Sequence, residues 1–374
     1  MCMEISEIKD LLLKVLGEGS DIVSPLIGGM MNVSYIVKDK DNKKYVLYIS
    51  TEQANEMVDR PLEKEHQKIV NALGLTSKNV YFDTEKGIKI NEYIEGASLD
   101  HVDHFDYEKV ARLFKHLHAS NVISRQDYAP FVRFEETYEK EALSFEKDPS
   151  PLYKELRDFL FEHKDYLESQ RKVLCHNDAQ RSNIIQTPKD EYYLIDFEFV
   201  GNNDPIYDIA TFGNGLVSEG RKLLEKYFGG NPSDDQIKRY YLWRIYISLQ
   251  WYNVAVTKHY RGEGEKHNFN FLDVAKHFLS NAKDAYDGYK MEIKEDKIQD
   301  DTIKLIIATL DKIRHFLRKD GGDCEFVSFK DGIVYVEMQG ACNGCAYAYN
   351  DIKDLVEVIL QEEVPGVVEV RLAN

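Results

Sequence analysis

The 374-residue sequence has no apolar run approaching the roughly 18 residues that a membrane-crossing helix needs. It has no low-complexity tract and no internal repeat, so neither a disordered nor a repeat architecture is expected. Positive charge is in short supply: 48 Lys and Arg face 65 Asp and Glu, a formal net charge of -17. A nucleic-acid backbone or an anionic membrane would be repelled by such a surface, so neither is expected as a main partner. The N-terminus lacks the basic flank of a signal peptide. It carries Glu4, Glu7 and Asp10 instead, while Leu11, Leu12, Val15 and Leu16 form the stripe of an amphipathic helix, and a cytoplasmic location is the expectation. Cysteine is sparse as well. Five residues, scattered apart from the pair at 342 and 345, do not make a disulfide framework.

With 43% hydrophobic and 30% charged residues the composition is that of a globular protein, and the length exceeds what one hydrophobic core supports. An α+β class with separate domains follows from the patterning. Residues 1–96 read as a strand-rich lobe: Ser34 to Lys38 and Tyr45 to Ile49 flank an Asp41-Asn42 turn, a helix runs from Pro61 to Leu73, and Lys89 to Ile94 is a further strand. Residues 97–290 are dominated by helical periodicity, broken by one short hairpin in which Asn183 to Gln186 and Tyr192 to Ile195 flank Thr187 to Asp190. Residues 291–301, charged and without a clear apolar stripe, read as a linker or a solvated helix. Residues 302–374 then read as a helix, a hairpin turning at Asp331-Gly332, and a second helix from about Asn350 to Glu362.

The most informative stretch is Leu174-Cys175-His176-Asn177-Asp178-Ala179-Gln180-Arg181-Ser182-Asn183, followed after the hairpin by Ile195-Asp196-Phe197-Glu198. Phosphoryl transfer asks a protein for a carboxylate at the attacking hydroxyl and for oxygen ligands that hold magnesium on the phosphates. A loop of this length can aim Asp178 and Asn183 into one cleft, and the hairpin returns the chain so that Asp196 lies beside Asn183. The pattern resembles the two-lobed protein-kinase-like fold, in its choline kinase and aminoglycoside phosphotransferase branch. Asn203-Asp204-Pro205 with Asp208-Ile209-Ala210, and Gly28-Gly29-Met30-Met31-Asn32, resemble further segments of bacterial choline kinases. The resemblance covers about Glu4 to Tyr289.

That resemblance implies ATP and Mg2+ as cofactors, Asp178 as catalytic base, Asn183 and Asp196 as magnesium ligands, Glu198 as a second metal or substrate contact, and Asp208 as a brace of the loop. It implies Gly28, Gly29 and Asn32 near the phosphates, backbone at Glu92 to Ile94 reading adenine, and Asp204 in the substrate set. One position departs. Where the family's third strand presents a cation to the phosphates, Tyr45-Val46-Leu47-Tyr48-Ile49 presents Tyr48. Arg60 is then the expected substitute, Glu63 or Glu65 is expected to lose its mate, and a weakened kinase follows. For the substrate, a quaternary ammonium calls for aromatic faces. Trp243 and Trp251 share a helical face with Tyr252 beside it, so choline, ethanolamine or another amino alcohol is the expected acceptor.

A cysteine pair two residues apart can be a redox dithiol, half a zinc site or half an iron–sulfur site. The sequence shows no thioredoxin-type strand–CxxC–helix unit and no second pair of ligands nearby, and two copies of the chain supply four thiolates. Ile313 to Asp323, Gly340-Ala341-Cys342-Asn343-Gly344-Cys345 and Pro365 to Val370 resemble the NifU C-terminal family, a small α/β domain. That resemblance implies a [4Fe-4S] cluster held by Cys342 and Cys345 and shared between two protomers of a homodimer, with apoprotein acceptors as partners. Two functions follow. The preferred one is an amino-alcohol kinase with an appended cluster domain. The other is an iron–sulfur assembly or carrier protein whose nucleotide-binding domain is a degenerate kinase.

Overall fold

The computed structural model describes residues 3–26, 32–264, 270–293, 295–318, 322–330, 332–340 and 346–373. They fall into two compact units assembled from discontinuous segments: residues 1–129 with 172–230, and residues 130–171 with 231–374. The division does not fall at the expected lobe boundary near residue 96, because the strand-rich segment shares its unit with the loop-and-hairpin region that follows Lys172.

In the first unit, helix α1 (Ile5–Leu16) precedes a five-stranded antiparallel sheet built from β1 (Asp21–Leu26), β2 (Asn32–Lys38), β3 (Lys44–Ser50), β4 (Asn79–Asp83) and β5 (Ile88–Glu92), in the order β1-β2-β3-β5-β4. Helices α2 (Glu52–Met57) and α3 (Arg60–Ala72) lie between β3 and β4 in sequence. Alternation along the strands sorts the side chains. Tyr45, Leu47 and Ile49 of β3 and Ile88 and Ile90 of β5 are buried with Ile8 and Leu12 of α1 in one apolar cluster. Tyr48 and Lys89 fall on the other face, directly opposite one another in the β3–β5 register. Helix α3 opens with the Asp59 carboxylate accepting from the Leu62 amide and with Pro61 in its first turn, an N-terminus of low cost to the orphan donors.

The same unit holds two small sheets. Val173–Cys175 pairs with Gly201–Asn203, and Ile184–Gln186 pairs with Tyr192–Leu194, the expected hairpin, with Ala97–Ser98 on its outer side. Gly96 makes that last pairing possible: its φ is +157°, and a Cβ there would lie 2.3 Å from the Gln186 carbonyl oxygen.

In the second unit, the long helix Asp234–Tyr260 packs along Phe271–Glu292. Their close approach depends on Gly288, where a Cβ would meet the Tyr241 ring at 2.5 Å. Residues 295–301, read from the sequence as linker or solvated helix, are the first turns of the helix Glu295–Leu317. That helix and Ala346–Glu363 enclose a core with a three-stranded sheet of Gly322–Lys330, Ile333–Gly340 and Glu369–Leu372. Ile306, Leu310, Ile313 and Leu317 meet Val334, Val336, Val356, Leu360 and Val370 there. The first two strands are antiparallel, and the third runs parallel to its neighbour, as a helical crossover allows. The second helix starts at Ala346, one turn before the expected Asn350.

Candidate active site

Asp178 sits in a loop pinned from below. Asp208, on the helix Pro205–Phe212, accepts from the backbone amides of His176 (2.8 Å) and Asn177 (2.7 Å), and His118 Nε2 lies 3.0 Å from the same carboxylate. Asn177, held at φ +62°, donates its side-chain amide to the carbonyls of Phe199 (2.9 Å) and Gly201 (3.2 Å), and accepts from Asn203 (2.8 Å). Such a left-handed residue costs of order 1 kcal/mol and persists only where the surroundings over-determine it. His176 Nε2 is 2.8 Å from the Ile195 carbonyl, so that nitrogen carries the hydrogen and Nδ1 is left to accept the Asp178 amide at 3.2 Å. Burial lowers the His176 pKa, in keeping with a neutral ring. The loop is therefore tied by backbone donors to one buried carboxylate, and Asp208 has the bracing position expected for it.

The Asp178 carboxylate is half-buried and is met by two neutral amides: Gln180 Nε2 at 2.6 Å from Oδ1 and Asn183 Nδ2 at 2.9 Å from Oδ2. Asn183 Nδ2 also donates to the Asp178 carbonyl, which leaves its Oδ1 as the atom for a metal. Burial pushes the Asp178 pKa up to about 7, the two amides opposing and the negative charge of Asp196 adding to it. A base poised near neutrality is suited to accept a hydroxyl proton.

Asp196, at φ +67°, retains 31% of its side-chain surface, yet its Oδ1 is buried without a hydrogen-bond partner. Burial, and then the neighbouring Glu198 charge, raise its pKa to about 7. Lys89 Nζ is 3.8 Å away from Asp196, 3.7 Å from Glu198 and 2.6 Å from Glu63. Arg60 Nη1 bridges Glu63 (2.6 Å) and Glu198 (2.9 Å). Two cations thus face three carboxylates, and the odd one out is the carboxylate whose oxygen has no donor. A divalent cation fits that deficit: Asp196 and Asn183 would hold magnesium, which supplies charge neutralisation for phosphate oxygens.

Several expectations change here. Lys89 went unread in the sequence, and it places a cation beside Tyr48, its ammonium 5.0 Å from the Tyr48 ring centroid. Glu63 has not lost its mate; it has two. Glu198, expected at a metal or substrate, is almost fully buried with Oε1 accepting from Arg60 and from Asn32 Nδ2 (2.9 Å), so it joins α3 to β2 and its Oε1 is not a free ligand. Asp204 is 1% exposed and caps the helix Pro205–Phe212 through the Ile206 amide, a structural task in place of the substrate contact. The Glu92 amide is committed to the Lys78 carbonyl and the Tyr93 amide to the Lys44 carbonyl, so neither amide is open to an adenine ring, while Ile94 is half-buried. Gly28 and Gly29 lie outside the described residues.

In the second unit Trp243 is 1% exposed and packs against Phe131 and Tyr246, which leaves no ring face for an ammonium; it is core. Trp251 is partly open and stacks on Phe278. Tyr252 lies against Tyr153 and donates to Glu146 at 3.1 Å. Cys342 and Cys345 lie outside the described residues, but the strand Ile333–Gly340 ends two residues before the first and the helix Ala346–Glu363 begins directly after the second. A strand before the pair and a helix after it are the elements expected from the sequence, the helix starting one turn earlier.

A linked expectation can be measured. A carboxylate whose folded pKa is raised contributes stability below its unfolded value near 4, and that contribution is lost as pH rises to about 7. Magnesium must displace protons below pH 7. The rise in melting temperature produced by magnesium with ADP should therefore be larger at pH 8 than at pH 5.5, with apparent magnesium affinity changing by up to about tenfold per pH unit per displaced proton. An equal rise at both values would contradict the shifted carboxylates.

Comparison with known proteins agrees with this geometry. Residues 23–219 match the choline/ethanolamine kinase family model, and residues 306–371 match the NifU-like domain model. An uncharacterized Mycoplasma pneumoniae protein is 30% identical over 198 residues, which is 50% of this chain and 63% of that protein. The mitochondrial NFU1 iron-sulfur cluster scaffold homologue of Drosophila grimshawi is 39% identical over 77 residues, 20% of this chain and 25% of that one. This chain thus spans less than two thirds of the length of either relative. The crystal structure of choline kinase LicA from Streptococcus pneumoniae superposes with a TM-score of 0.60 at 26% identity, covering 76% of this chain and 98% of that one. Since the kinase-family match alone takes in more than half of the residues, the chain belongs to the choline/ethanolamine kinase family and carries a NifU-like domain at its C-terminal end.

Proposed function

We infer that the protein transfers the γ-phosphoryl group of ATP to the hydroxyl of a small amino alcohol, choline first among them, and that its C-terminal domain binds an iron–sulfur cluster. The observation that carries this reading is the convergence of Asp178, Asn183 and the unpartnered Asp196 oxygen on one loop-and-hairpin frame. In the reaction Asp178, deprotonated, accepts the proton of the acceptor hydroxyl as its oxygen attacks the γ-phosphorus, and ADP leaves. Asn183 and Asp196 would hold the magnesium, which would supply neutralisation of phosphate charge, and Gln180 keeps the base oriented through Oδ1. Trp251 and Tyr252 are proposed for the ammonium group, since aromatic faces and a carboxylate such as Glu146 suit a quaternary nitrogen.

For the C-terminal domain, the match to an NFU1 iron-sulfur cluster scaffold homologue supports an iron–sulfur role; we propose a [4Fe-4S] cluster on Cys342 and Cys345 shared between two protomers and passed to apoprotein acceptors. A cytoplasmic setting accords with that chemistry and with the absence, among the described residues, of any helix long and apolar enough to cross a membrane. The competing reading, a cluster carrier with a degenerate kinase, drew on Tyr48; the Lys89–Glu63 pair supports the kinase reading over it.

The test is ATP turnover by anaerobically purified protein over choline, ethanolamine, homoserine and an aminoglycoside, with iron and sulfide assayed on the same sample. Choline is expected to give the highest kcat/KM, by tenfold or more over the aminoglycoside, with about four irons per pair of chains. Absence of turnover on every acceptor defeats the kinase reading, and iron-free protein after anaerobic reconstitution defeats the cluster reading.

A further inference from the structure

The placement of Lys89 reaches beyond charge balance within the carboxylate cluster. Its ammonium has three hydrogens to donate, yet among the described residues only Glu63 Oε1 lies within hydrogen-bonding distance, at 2.6 Å. Glu198 and Asp196 stand at 3.7 Å and 3.8 Å, close enough for attraction and too far for a bond. A second donor nearby is also unfilled. Arg60, which shares Glu63 and Glu198 with Lys89, has a buried Nη2 with no partner. Unfilled donors on two buried cations are costly unless an acceptor arrives, and with a divalent cation held by Asp196 the balance of the cluster would suit an anion carrying several oxygens.

Strand geometry explains why the cation comes from β5. Tyr48 and Lys89 are direct cross-strand partners on the face of the sheet away from the α1 core, so their Cβ atoms are about 5 Å apart. Either strand could therefore deliver a charge to nearly the same point. With tyrosine on β3, the phenol ring forms a wall 5.0 Å from the ammonium. The ring hydroxyl stays protonated, its pKa raised to about 12 by burial, so it adds no charge of its own. A cation set against an aromatic face and held by one carboxylate is fixed in place while keeping donors to offer.

We propose that Lys89, positioned against the Tyr48 ring and by Glu63, is the residue that binds the nucleotide's phosphate oxygens in this protein, the cation having moved from β3 to the adjacent β5. The ligand class is a nucleoside di- or triphosphate. The proposal rests on the nucleotide-dependent reading of the first unit but not on phosphoryl transfer, and the test is chosen to keep those apart.

The full-length protein and its Lys89→Met, Lys89→Arg and exchanged Tyr48→Lys/Lys89→Tyr variants are titrated with ADP plus magnesium and, separately, with adenosine. For Lys89→Met the affinity for magnesium ADP is expected to fall about tenfold to a hundredfold while adenosine affinity is unchanged, because only the phosphates meet the ammonium. The exchange variant should recover at least tenfold of the loss, since it returns a cation to the same face. Equal weakening of both ligands would assign Lys89 a structural role and overturn the proposal, as would unchanged magnesium ADP affinity. Lys89→Arg guards against a folding defect: it keeps the charge, so it should retain binding, and loss of binding in Lys89→Arg with a native melting temperature also counts against the proposal. If the parent protein binds magnesium ADP through Lys89 yet turns over no acceptor, the kinase reading fails and this one stands.

Discussion

Asp178→Asn lowers kcat for phosphorylation of the acceptor by about 10²- to 10⁴-fold while the KM for magnesium ATP changes less than about threefold. The asparagine keeps the volume, and it keeps an acceptor oxygen for either the Gln180 or the Asn183 amide that now meets the carboxylate. What it loses is the capacity to take a proton. The loop does not depend on this side chain for its shape, because its backbone amides at His176 and Asn177 are held by Asp208. Folding is therefore expected to be nearly unaffected, and a melting temperature within about 2 °C of the parent at pH 8 accompanies the kinetic loss. Steady-state kinetics with saturating choline read the first quantity and a thermal melt the second. Retention of more than a tenth of kcat would remove Asp178 from the chemistry. In the parent protein the pKa pushed up to about 7 makes kcat/KM rise with pH below neutrality and level off above it.

Asp196→Asn should produce effects of opposite sign on activity and on stability. Activity falls by about 10²- to 10⁴-fold, because removing an anionic magnesium ligand forfeits several kcal/mol of charge stabilisation in the transition state. The metal-free protein, by contrast, becomes more stable at pH 8. In the parent, Lys89 and Arg60 balance only two of the three carboxylates at Glu63, Glu198 and Asp196. Burial, together with the excess negative charge, raises the Asp196 pKa to about 7, so stability present below the unfolded value near 4 is lost as pH rises to about 7. A neutral amide restores the balance. The melting temperature should therefore rise by a degree or more at pH 8, rise by less at pH 5.5, where the loss between the unfolded value near 4 and the folded value of about 7 is only partly complete, and stay unchanged below about pH 4. The stabilisation conferred by magnesium with ADP should shrink in the same variant. A lower melting temperature at pH 8 together with undiminished turnover would show that the charge deficit has been assigned to the wrong carboxylate.

Much of the site was legible because phosphoryl-transfer chemistry crowds its residues into one short loop and the strand after it. Asp178, Asn183 and Asp196 are separated by few residues and by a hairpin whose turn could be read from Thr187 to Asp190, so proximity in sequence implied proximity in space. Asp208 was legible in the same way, since a motif that precedes a helix start also orients that helix. Lys89 was not. A single lysine between Ile88 and Ile90 looks like the solvent side of a strand, and nothing local says that α3 covers that face and buries the ammonium against Glu63. The departure at Tyr48 was visible as a loss, while its compensation lay on a strand forty residues on, joined to it only by sheet register.

Trp243 was misassigned for a related reason. Helical spacing puts Trp243 and Trp251 on one side of the helix Asp234–Tyr260, but that helix is buried over much of its circumference, and spacing cannot tell a face turned to core from one open to a ligand. Sequence alone thus determined the kinds of chemistry proposed for the chain, a base, two metal ligands and a cysteine pair, together with the lack of a long apolar run and the excess of negative charge. Those depend on residue identity and short spacing, which are properties of the chain. Tertiary structure decided which charges face each other, turning Glu198 into a bridge, Asp204 into a cap and Lys89 into the mate of Glu63. Coulomb and hydrogen-bond energies depend on distance and burial, and neither exists until the sheet has set its register and the helix has closed over it.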